Sequence, residues 1–223
     1  MVVSLFLFSC RNDQHSKTID KELTQETTTI SFTAIGDVPY NNEQRDGLIT
    51  IISKHNALDP SEFVIHVGDI KPGALECNES IYEDVSGILK MMEAPTFIVL
   101  GDNEYNDCTD PKQGLEYWNK YFLHFNENWV FEPAVTYQPG RTENFSWIDH
   151  KVLFIGINLV GSQVRDSLEW NNRLTQNGLW IKKLSEEQVN NVEAMVVFGH
   201  ANILEAGPDK FKPFTDLFRS AAL

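Results

Sequence analysis

The sequence predicts an α/β protein built around a parallel β-sheet. From residue 30 onward, apolar segments of strand length alternate with segments of helical periodicity. Three of the predicted strands end in the dipeptide Gly-Asp, at Asp37, Asp69 and Asp102, and a fourth ends in Gly-His at His200. The Gly-Asp pairs are 32 and 33 residues apart, a length that fits a strand, a crossover helix and the next parallel strand.

The strands are predicted from short apolar runs that alternate in polarity or are bounded by turn residues. In chain order they cover Ile30–Ile35, Phe63–Val67, Thr96–Leu100, Asn144–Ile148, Val152–Ile157 and Ala194–Phe198. Between the fourth and fifth of these strands, Asp149-His150-Lys151 predicts a hairpin turn.

The helices are predicted from apolar residues at helical spacing. In chain order they cover Glu43–His55, Ser80–Met92, Leu115–Phe125, Arg165–Asn191 and Pro208–Arg219. Asn41 is the predicted cap of the first helix, because its short side chain can accept a hydrogen bond from the first turn. Asn177-Gly178 predicts a break in the fourth helix, because both residue types disfavour a helix interior.

The composition fits one globular domain and argues against binding to long nucleic acids. The 223 residues are 42% hydrophobic and 22% charged, which excludes wholesale disorder. The net charge of −14 repels polyanions, so no long nucleic acid is expected as a partner. A phosphate-ester substrate is not excluded, because bound metal ions can reverse the local field.

The first 29 residues predict a targeting segment. Val2–Phe8 is apolar but too short to span a bilayer, and it leads into Ser9-Cys10. This pattern resembles the end of a bacterial lipoprotein signal, in which Cys10 would be lipidated. Residues 1–10 would then be a partial signal, residues 11–29 a polar tether, and the protein a periplasmic or cell-envelope lipoprotein held at the membrane only by its lipid. The alternatives are a ragged tail that contains a cysteine, and a cytoplasmic protein.

The two remaining cysteines, Cys77 and Cys108, are the number that an oxidising compartment would pair. They lie 31 positions apart, and a crosslink there would constrain the unfolded chain by roughly 3.5 kcal/mol in the chain-entropy description. Two unpaired buried thiols are the alternative.

The strand ends predict a metal site. In parallel sheets ligands bind beyond the carboxyl ends of the strands, and neighbouring strands are only about 4.8 Å apart. Two carboxylates about 5 Å apart repel each other by roughly 3 kcal/mol at an effective dielectric constant near 20, and hard cations relieve that repulsion. Three carboxylates with one imidazole form a mixed O/N donor set that suits Zn, Mn or Fe. The alternative is that the Asp residues only shape turns.

Three motifs at these strand ends resemble those of the calcineurin-like metallophosphoesterases, in particular of a bacterial branch. They read Gly36-Asp-Val-Pro-Tyr40, His66-Val-Gly-Asp-Ile-Lys71 and Gly101-Asp-Asn-Glu104, and the resemblance extends from Ile30 to about Ile203. It implies a four-layer α/β/β/α sandwich over residues 30–223, with two divalent or trivalent metal ions at the edge of two sheets. These ions would activate water for the hydrolysis of a phosphomonoester or phosphodiester.

The resemblance also implies individual roles for the motif residues. By position, Asp37 would bind the first metal ion, Asp69 would bridge both, and Asp102 and His200 would bind the second. With a shift of one residue, Asn103 itself would be the metal ligand.

The family's histidine that assists the leaving group is replaced by Asn103, which cannot act as an acid near neutral pH. The candidates for that work are Glu104, His66 and a group on the substrate. His66 is alternatively a hydrogen-bonded core histidine. We therefore take Asp69, Asn103, Glu104 and His200 as the candidate catalytic residues.

Three further residues are candidates for contact with the substrate. Tyr40 would line the site, Lys71 would contact a phosphate, and Asn158 would line the pocket after its strand. The alternatives are packing for Tyr40 and a solvated loop position for Lys71.

The family's final Gly-His-x-His motif does not follow Gly199-His200 before Leu223. This departure predicts a second sheet that is incomplete at its C-terminal end, in a chain that is a fragment of an enzyme. The alternative is a catalytically degenerate lipoprotein that acts as a binding module.

Overall fold

The structure of the chain is a computed structural model, and it describes residues 8–9, 29–58, 60–204 and 209–221. The strands are β1 (Phe8–Ser9), β2 (Phe32–Ile35), β3 (Phe63–His66), β4 (Thr96–Ile98), β5 (Thr136–Gln138), β6 (Arg141–Asp149), β7 (Val152–Gly156) and β8 (Ala194–Phe198). The helices are α1 (Asn42–Leu58), α2 (Glu79–Leu89), α3 (Pro111–Phe122), α4 (Ser167–Gln188) and α5 (Lys212–Ala221), with a 3₁₀ turn at Phe125–Asn128. This order confirms the predicted α/β class.

Three parallel strands form the first sheet, in the order β2-β3-β4. The register pairs Ile35 with His66 and His66 with Ile98, so the carboxyl ends of the three strands are nearly level. The loops that carry the three Gly-Asp pairs therefore leave the same edge of the sheet, as the sequence predicts.

The second sheet is mixed, in the order β1-β8-β7-β6-β5. β7 and β8 are parallel, whereas β6 is antiparallel to β7. His150 and Lys151, at the turn between β6 and β7, have φ angles of 45° and 64°, which is the backbone of a two-residue type I′ hairpin. The predicted hairpin is thus confirmed.

The two sheets stack on an aromatic core. Phe63 of β3 packs edge-on against Phe154 of β7, and Phe97 of β4 stacks on Trp147 of β6 with ring centroids 4.2 Å apart. Alternate residues of the same strands, such as Val64, face the helices instead. The layers are helices, sheet, sheet and helices, which confirms the four-layer arrangement.

The helices differ from the sequence prediction in one important place. α4 is continuous from Ser167 to Gln188, so the predicted break at Asn177-Gly178 is wrong. A Cβ on Gly178 would lie 2.7 Å from Leu217 Cβ of α5, so glycine at this position permits close helix packing rather than a turn. The cap of α1 is confirmed, since Asn41 Oδ1 accepts the N–H of Gln44 at 2.9 Å.

At the amino end, Phe8–Ser9 pairs antiparallel with β8, with Phe8 opposite Met195. Cys10, the rest of the predicted signal and residues 11–28 of the predicted tether lie outside the described residues. Among the helices that the structure describes, none combines the length and the apolar character needed to cross a bilayer.

Candidate metal centre

Three of the predicted ligands meet at the edge of the fold where the carboxyl ends of β3, β4 and β8 lie. His200 Nε2 lies 3.0 Å from Asp102 Oδ1 and 3.3 Å from Asp69 Oδ1. Each residue offers one donor atom, and these three atoms all lie within 4.8 Å of one another. Asp69 and Asp102 follow strands of the first sheet, whereas His200 follows β8 of the second sheet. The centre therefore forms where the two sheets meet.

The imidazole of His200 is oriented for metal binding. Its Nδ1 lies 2.9 Å from the carbonyl oxygen of Val67, so an Nδ1–H donates there and Nε2 is turned toward the two carboxylates. Burial alone would lower the pKa of His200, but the hydrogen bond with Asp102 and the charge of Asp69 raise that pKa to about 10. In the metal-free protein the imidazolium therefore neutralises part of the carboxylate charge, and a metal ion would displace its proton.

Two of the three Gly-Asp positions have a strained backbone. Asp37 and Asp69 have φ angles of 56° and 61°, in the left-handed region that non-glycine residues seldom adopt. Such conformations persist where surrounding contacts hold them, and they concentrate at functional sites. In this conformation both carboxylates contact the hydroxyl of Tyr40.

Tyr40 connects Asp37 to the other ligands. Its hydroxyl lies 2.8 Å from Asp69 Oδ2 and 3.1 Å from Asp37 Oδ1, so the phenol oxygen is inside the carboxylate cluster. Burial, the hydrogen bond to Asp69 and the neighbouring negative charges raise the pKa of Tyr40 well above its usual value. The chain thus brings Asp37, Tyr40, Asp69, Asp102 and His200 together.

The donor chemistry of this cluster fits a metal centre. Asp69 is 5% exposed, and its burial would raise the pKa of an isolated carboxyl group, so a cation is the natural counter-charge. A second group of potential ligands, Glu62, Asp149 and His150, lies near the opposite ends of the strands, where Glu62 and His150 are exposed. Of these two groups, the first alone combines burial with convergent strand ends.

The family profile of calcineurin-like phosphoesterases matches residues 30–219. The chain belongs to the calcineurin-like phosphoesterase family. A search among curated proteins finds no significant match. The family generally binds two divalent metal ions and acts on phosphate esters, and the cluster of Asp69, Asp102 and His200 is where this calcineurin-like phosphoesterase could hold a metal ion.

The structure places Asp102, rather than Asn103, in contact with His200. The side-chain amide of Asn103 donates to the carbonyl oxygen of Lys71 at 2.9 Å and to the Tyr40 hydroxyl at 3.2 Å. Asn103 therefore holds the Lys71 loop against the site, while its neighbour Asp102 contacts His200. Metal binding by Asp102 or, with a shift of one residue, by Asn103 stays a prediction.

Lys71 and Asn158 occupy buried hydrogen-bonding networks. The ammonium group of Lys71 donates to the carbonyl oxygens of Leu75 at 2.6 Å and Pro72 at 3.2 Å, and the residue is 1% exposed. It is therefore not a solvated loop lysine. Asn158 is 2% exposed, and its Nδ2 donates to Glu143. Substrate contact by these two residues stays a prediction.

Neither Glu104 nor His66 faces the cluster with a free group. Glu104 is fully buried, and its carboxylate accepts backbone N–H groups. His66 is also fully buried, with Nε2 3.1 Å from the carbonyl oxygen of Val38, as expected for a core histidine. Burial lowers the pKa of His66 to about 4.

The sequence analysis missed Asp107. Its N–H donates to the carbonyl oxygen of Asp102 at 2.8 Å, its carboxyl group shares a hydrogen bond with that of Asp102, and Ser162 donates to it from the loop after β7. Burial and the charge of Asp102 raise the pKa of Asp107. Its position five residues after a ligand gives no periodic signal, because it depends on a tight turn that only the structure reveals.

The predicted disulfide is confirmed. Cys77 and Cys108 are bonded, with their Cα atoms 5.5 Å apart. Cys77 lies in the loop that carries Asp69, and Cys108 lies in the loop that carries Asp102. The bond therefore ties together the two loops that supply the carboxylates.

Proposed function

We propose that this protein hydrolyses a phosphomonoester or phosphodiester with two metal ions held between its sheets. The observation that carries the proposal is the approach of His200 Nε2 to Asp102 and Asp69, at 3.0 and 3.3 Å. Asp69 is buried and the other two residues are partly buried, where strand ends from both sheets converge. Family membership supports the same reaction class. The mixed carboxylate and imidazole donors favour Mn, Fe or Zn over Mg or Ca.

The positions of the residues suggest different roles for them. Asp69 and Asp102, with His200, would hold one metal ion, and Asp37 would hold the second together with Asp69. When bound, the metal ions would activate water and neutralise charge on the phosphoryl oxygens. Tyr40, hydrogen-bonded to Asp37 and Asp69, aligns their carboxylates and closes that side of the site.

Among the motif residues Glu104, His66 and Asn103, none is placed to protonate the leaving group. Glu104 and His66 are fully buried and occupied by backbone groups, and Asn103 does not titrate. We infer that the substrate itself or solvent protonates the leaving group. This favours esters whose leaving groups are stable as anions, such as aryl esters, over simple alkyl phosphates.

A binding module without turnover is the second candidate, and the observation that favours it is the amide of Asn103 where the family has a histidine. The disulfide supports an oxidising location, consistent with export as a periplasmic or cell-envelope lipoprotein. The lipid on Cys10 and that location are part of the proposal.

The test is Asp69→Asn in the full chain. We expect this variant to lose at least about 100-fold in Mn²⁺ affinity, because an amide replaces the carboxylate that would bind both ions. Mn²⁺ uptake by equilibrium dialysis and turnover of p-nitrophenyl phosphate and bis(p-nitrophenyl) phosphate are the readouts. Both substrates have leaving groups that need no acid.

The matched control is Asp110→Asn. Asp110 caps α3 by accepting the N–H groups of Lys112 and Gln113, and asparagine caps helices equally well. This variant should retain metal and turnover. A wild-type protein that binds Mn²⁺ but hydrolyses neither ester would favour the binding module. A protein whose metal uptake is unchanged by Asp69→Asn would contradict the site.

A further inference from the structure

Glu104 belongs to the loop that carries Asp102, and its side chain extends to the loop that carries Asp69. It is fully buried, and both of its carboxylate oxygens are used by backbone groups. Oε1 accepts the N–H of Gly101 at 2.6 Å and that of Asp69 at 3.1 Å, and Oε2 accepts the N–H of Ile70 at 3.2 Å. One side chain thus connects the loop after β3 to the loop after β4.

The three N–H groups belong to the residues whose backbone determines where the ligands point. Asp69 has the strained φ of 61°, and the bonds from Glu104 to its N–H and to that of Ile70 hold this conformation from both sides. Gly101 directly precedes Asp102. A Cβ on Gly101 would overlap the backbone nitrogen of Asp69, so the two loops are in direct contact at this point.

Two further hydrogen bonds hold Glu104 and the adjacent Asn103 in position. The hydroxyl of Tyr82 donates to the carbonyl oxygen of Glu104 at 2.7 Å. The N–H of Asn103 donates to Asp69 Oδ1 at 3.1 Å, which orients the ligand carboxylate itself. These hydrogen bonds hold Glu104 in place between the loop after β3 and the loop after β4.

We propose that Glu104 is a positioning residue, which sets the metal affinity of the centre by holding Asp69 and Asp102 in ligand geometry. It acts through the backbone of its neighbours and not as a proton donor to the leaving group. This inference rests on the proposed function, because it assumes that Asp69 and Asp102 bind metal. Loss of a residue that orients metal ligands typically lowers metal affinity by about 10- to 100-fold.

The experiment compares Glu104→Gln with the wild-type full chain. Glutamine has the same size, but its amide offers a single acceptor oxygen to three N–H groups and turns an NH₂ group toward at least one of them. We expect the dissociation constant for Mn²⁺ to rise by at least about tenfold. Amide hydrogen exchange should accelerate at Gly101, Asp69 and Ile70 without a matching change elsewhere.

Glu104→Asp is the second variant, for the case in which glutamine prevents folding. It keeps the charge but shortens the side chain by one methylene, so it can keep the short bond to Gly101 and lose those to Asp69 and Ile70. We expect its Mn²⁺ affinity to lie between those of the wild type and the glutamine variant.

Thr96→Val is the matched control. Thr96 is fully buried at the start of β4, where its hydroxyl donates to the carbonyl oxygen of Ala94 at 3.0 Å. Its loss removes a buried hydrogen bond of the same strand at the end away from the ligands. Stability should fall in this variant while Mn²⁺ affinity stays at the wild-type value.

The outcomes separate the two proposals. A wild-type chain that takes up no Mn²⁺ would end the proposed function, and this inference with it. If the wild type binds Mn²⁺ and both folded Glu104 variants bind it equally well, the positioning role is overturned while the proposed function stands. A lower melting temperature with unchanged affinity would likewise reduce Glu104 to an ordinary structural residue.

Discussion

Single buried side chains determine how the ligand loops are held. His66, at the end of β3, accepts the N–H of Gly68 on Nδ1 at 3.1 Å and donates from Nε2 to the carbonyl oxygen of Val38 at 3.1 Å. It therefore joins the loop that follows Asp37 to the loop that carries Asp69. Both ring nitrogens are used only when the ring is neutral, because a protonated Nδ1 could not accept the Gly68 hydrogen bond.

This arrangement predicts an acid limb in the stability of the protein. Burial lowers the pKa of His66 to about 4, although the charge of Asp37 opposes this shift and that of His200 adds to it. The unfolded chain takes up a proton below about pH 6.5, whereas the folded chain does not until about pH 4, so stability falls as the pH drops through this window. The free energy of unfolding should fall by on the order of 3 kcal/mol through His66 alone as the pH drops from about 6.5 to about 4.

The measurement is urea unfolding at pH 7.5 and pH 4.5. His66→Gln is the comparison, because glutamine can donate to Val38 without titrating. We expect the drop in the free energy of unfolding between the two pH values to be smaller in this variant than in the wild type. Equal drops would show that other groups carry the acid limb.

At this scale the sequence could predict the candidate ligands but not the residues that hold them in place. Asp37, Asp69 and Asp102 follow parallel strands that end at one edge of the first sheet, which follows from period and turn residues alone. The approach of His200 depends on how the second sheet packs against the first. The role of Glu104 depends on the path of two loops in three dimensions, which no local pattern encodes.

Among the elements, the α4–α5 pair shows a tertiary contact overriding a local signal. Asn177 and Gly178 lie in the middle of α4, where both residue types are poor helix formers. The side chain of Asn177 donates to the carbonyl oxygen of Asn158 and accepts from the side chain of Asn144. Leu217 of α5 packs closely against Gly178. The sequence shows the weak helix formers, but the partners that compensate for them are distant in the chain.

A pair of Gly→Ala substitutions tests this explanation. Alanine is intrinsically better in a helix by about 1 kcal/mol, so a free glycine position should gain stability on substitution. A Cβ added to Gly87 of α2 would have nothing within 4 Å, whereas the Cβ of Gly178→Ala would lie 2.7 Å from the Cβ of Leu217. We expect Gly87→Ala to stabilise the protein and Gly178→Ala to destabilise it by about 1–3 kcal/mol.

Urea unfolding of both variants at neutral pH gives the answer, with Mn²⁺ affinity measured in parallel to confirm that the metal centre is unaffected. Stabilisation by both substitutions would mean that α5 yields to the extra methyl group. The glycine would then be a tolerated residue and not a packing requirement.

For the whole molecule, the candidate metal centre is a junction between the two sheets of the fold. The first sheet supplies Asp37, Asp69 and Asp102, and the second supplies His200. The aromatic core already holds the sheets together. At the edge where the carboxyl ends of the strands meet, however, three carboxylates and one imidazole face one another. The four-layer fold was predictable from the family motifs, whereas β5 was not, because Thr136–Gln138 is too short to show a pattern.

This junction predicts that metal binding stabilises the entire fold. A ligand that binds only the folded state adds about 4 kcal/mol when it is present at about 1,000 times its dissociation constant. For a chain of this length, that corresponds to a rise in melting temperature on the order of 10 °C. The rise should disappear on addition of a chelator and should be nearly absent in His200→Ala. Among the described residues, His200 is the one candidate ligand of this cluster that the second sheet supplies.

The control is His150→Asn, in the turn between β6 and β7, where asparagine suits the left-handed backbone. It removes a histidine from the exposed group formed with Glu62 and Asp149, so a wild-type metal response in this variant would assign the effect to the junction. A metal response that survives His200→Ala but is lost in His150→Asn would instead place the stabilising ion at the exposed group. Because each histidine serves only one of the two groups, the difference in melting temperature between metal-loaded and chelated protein identifies which one binds.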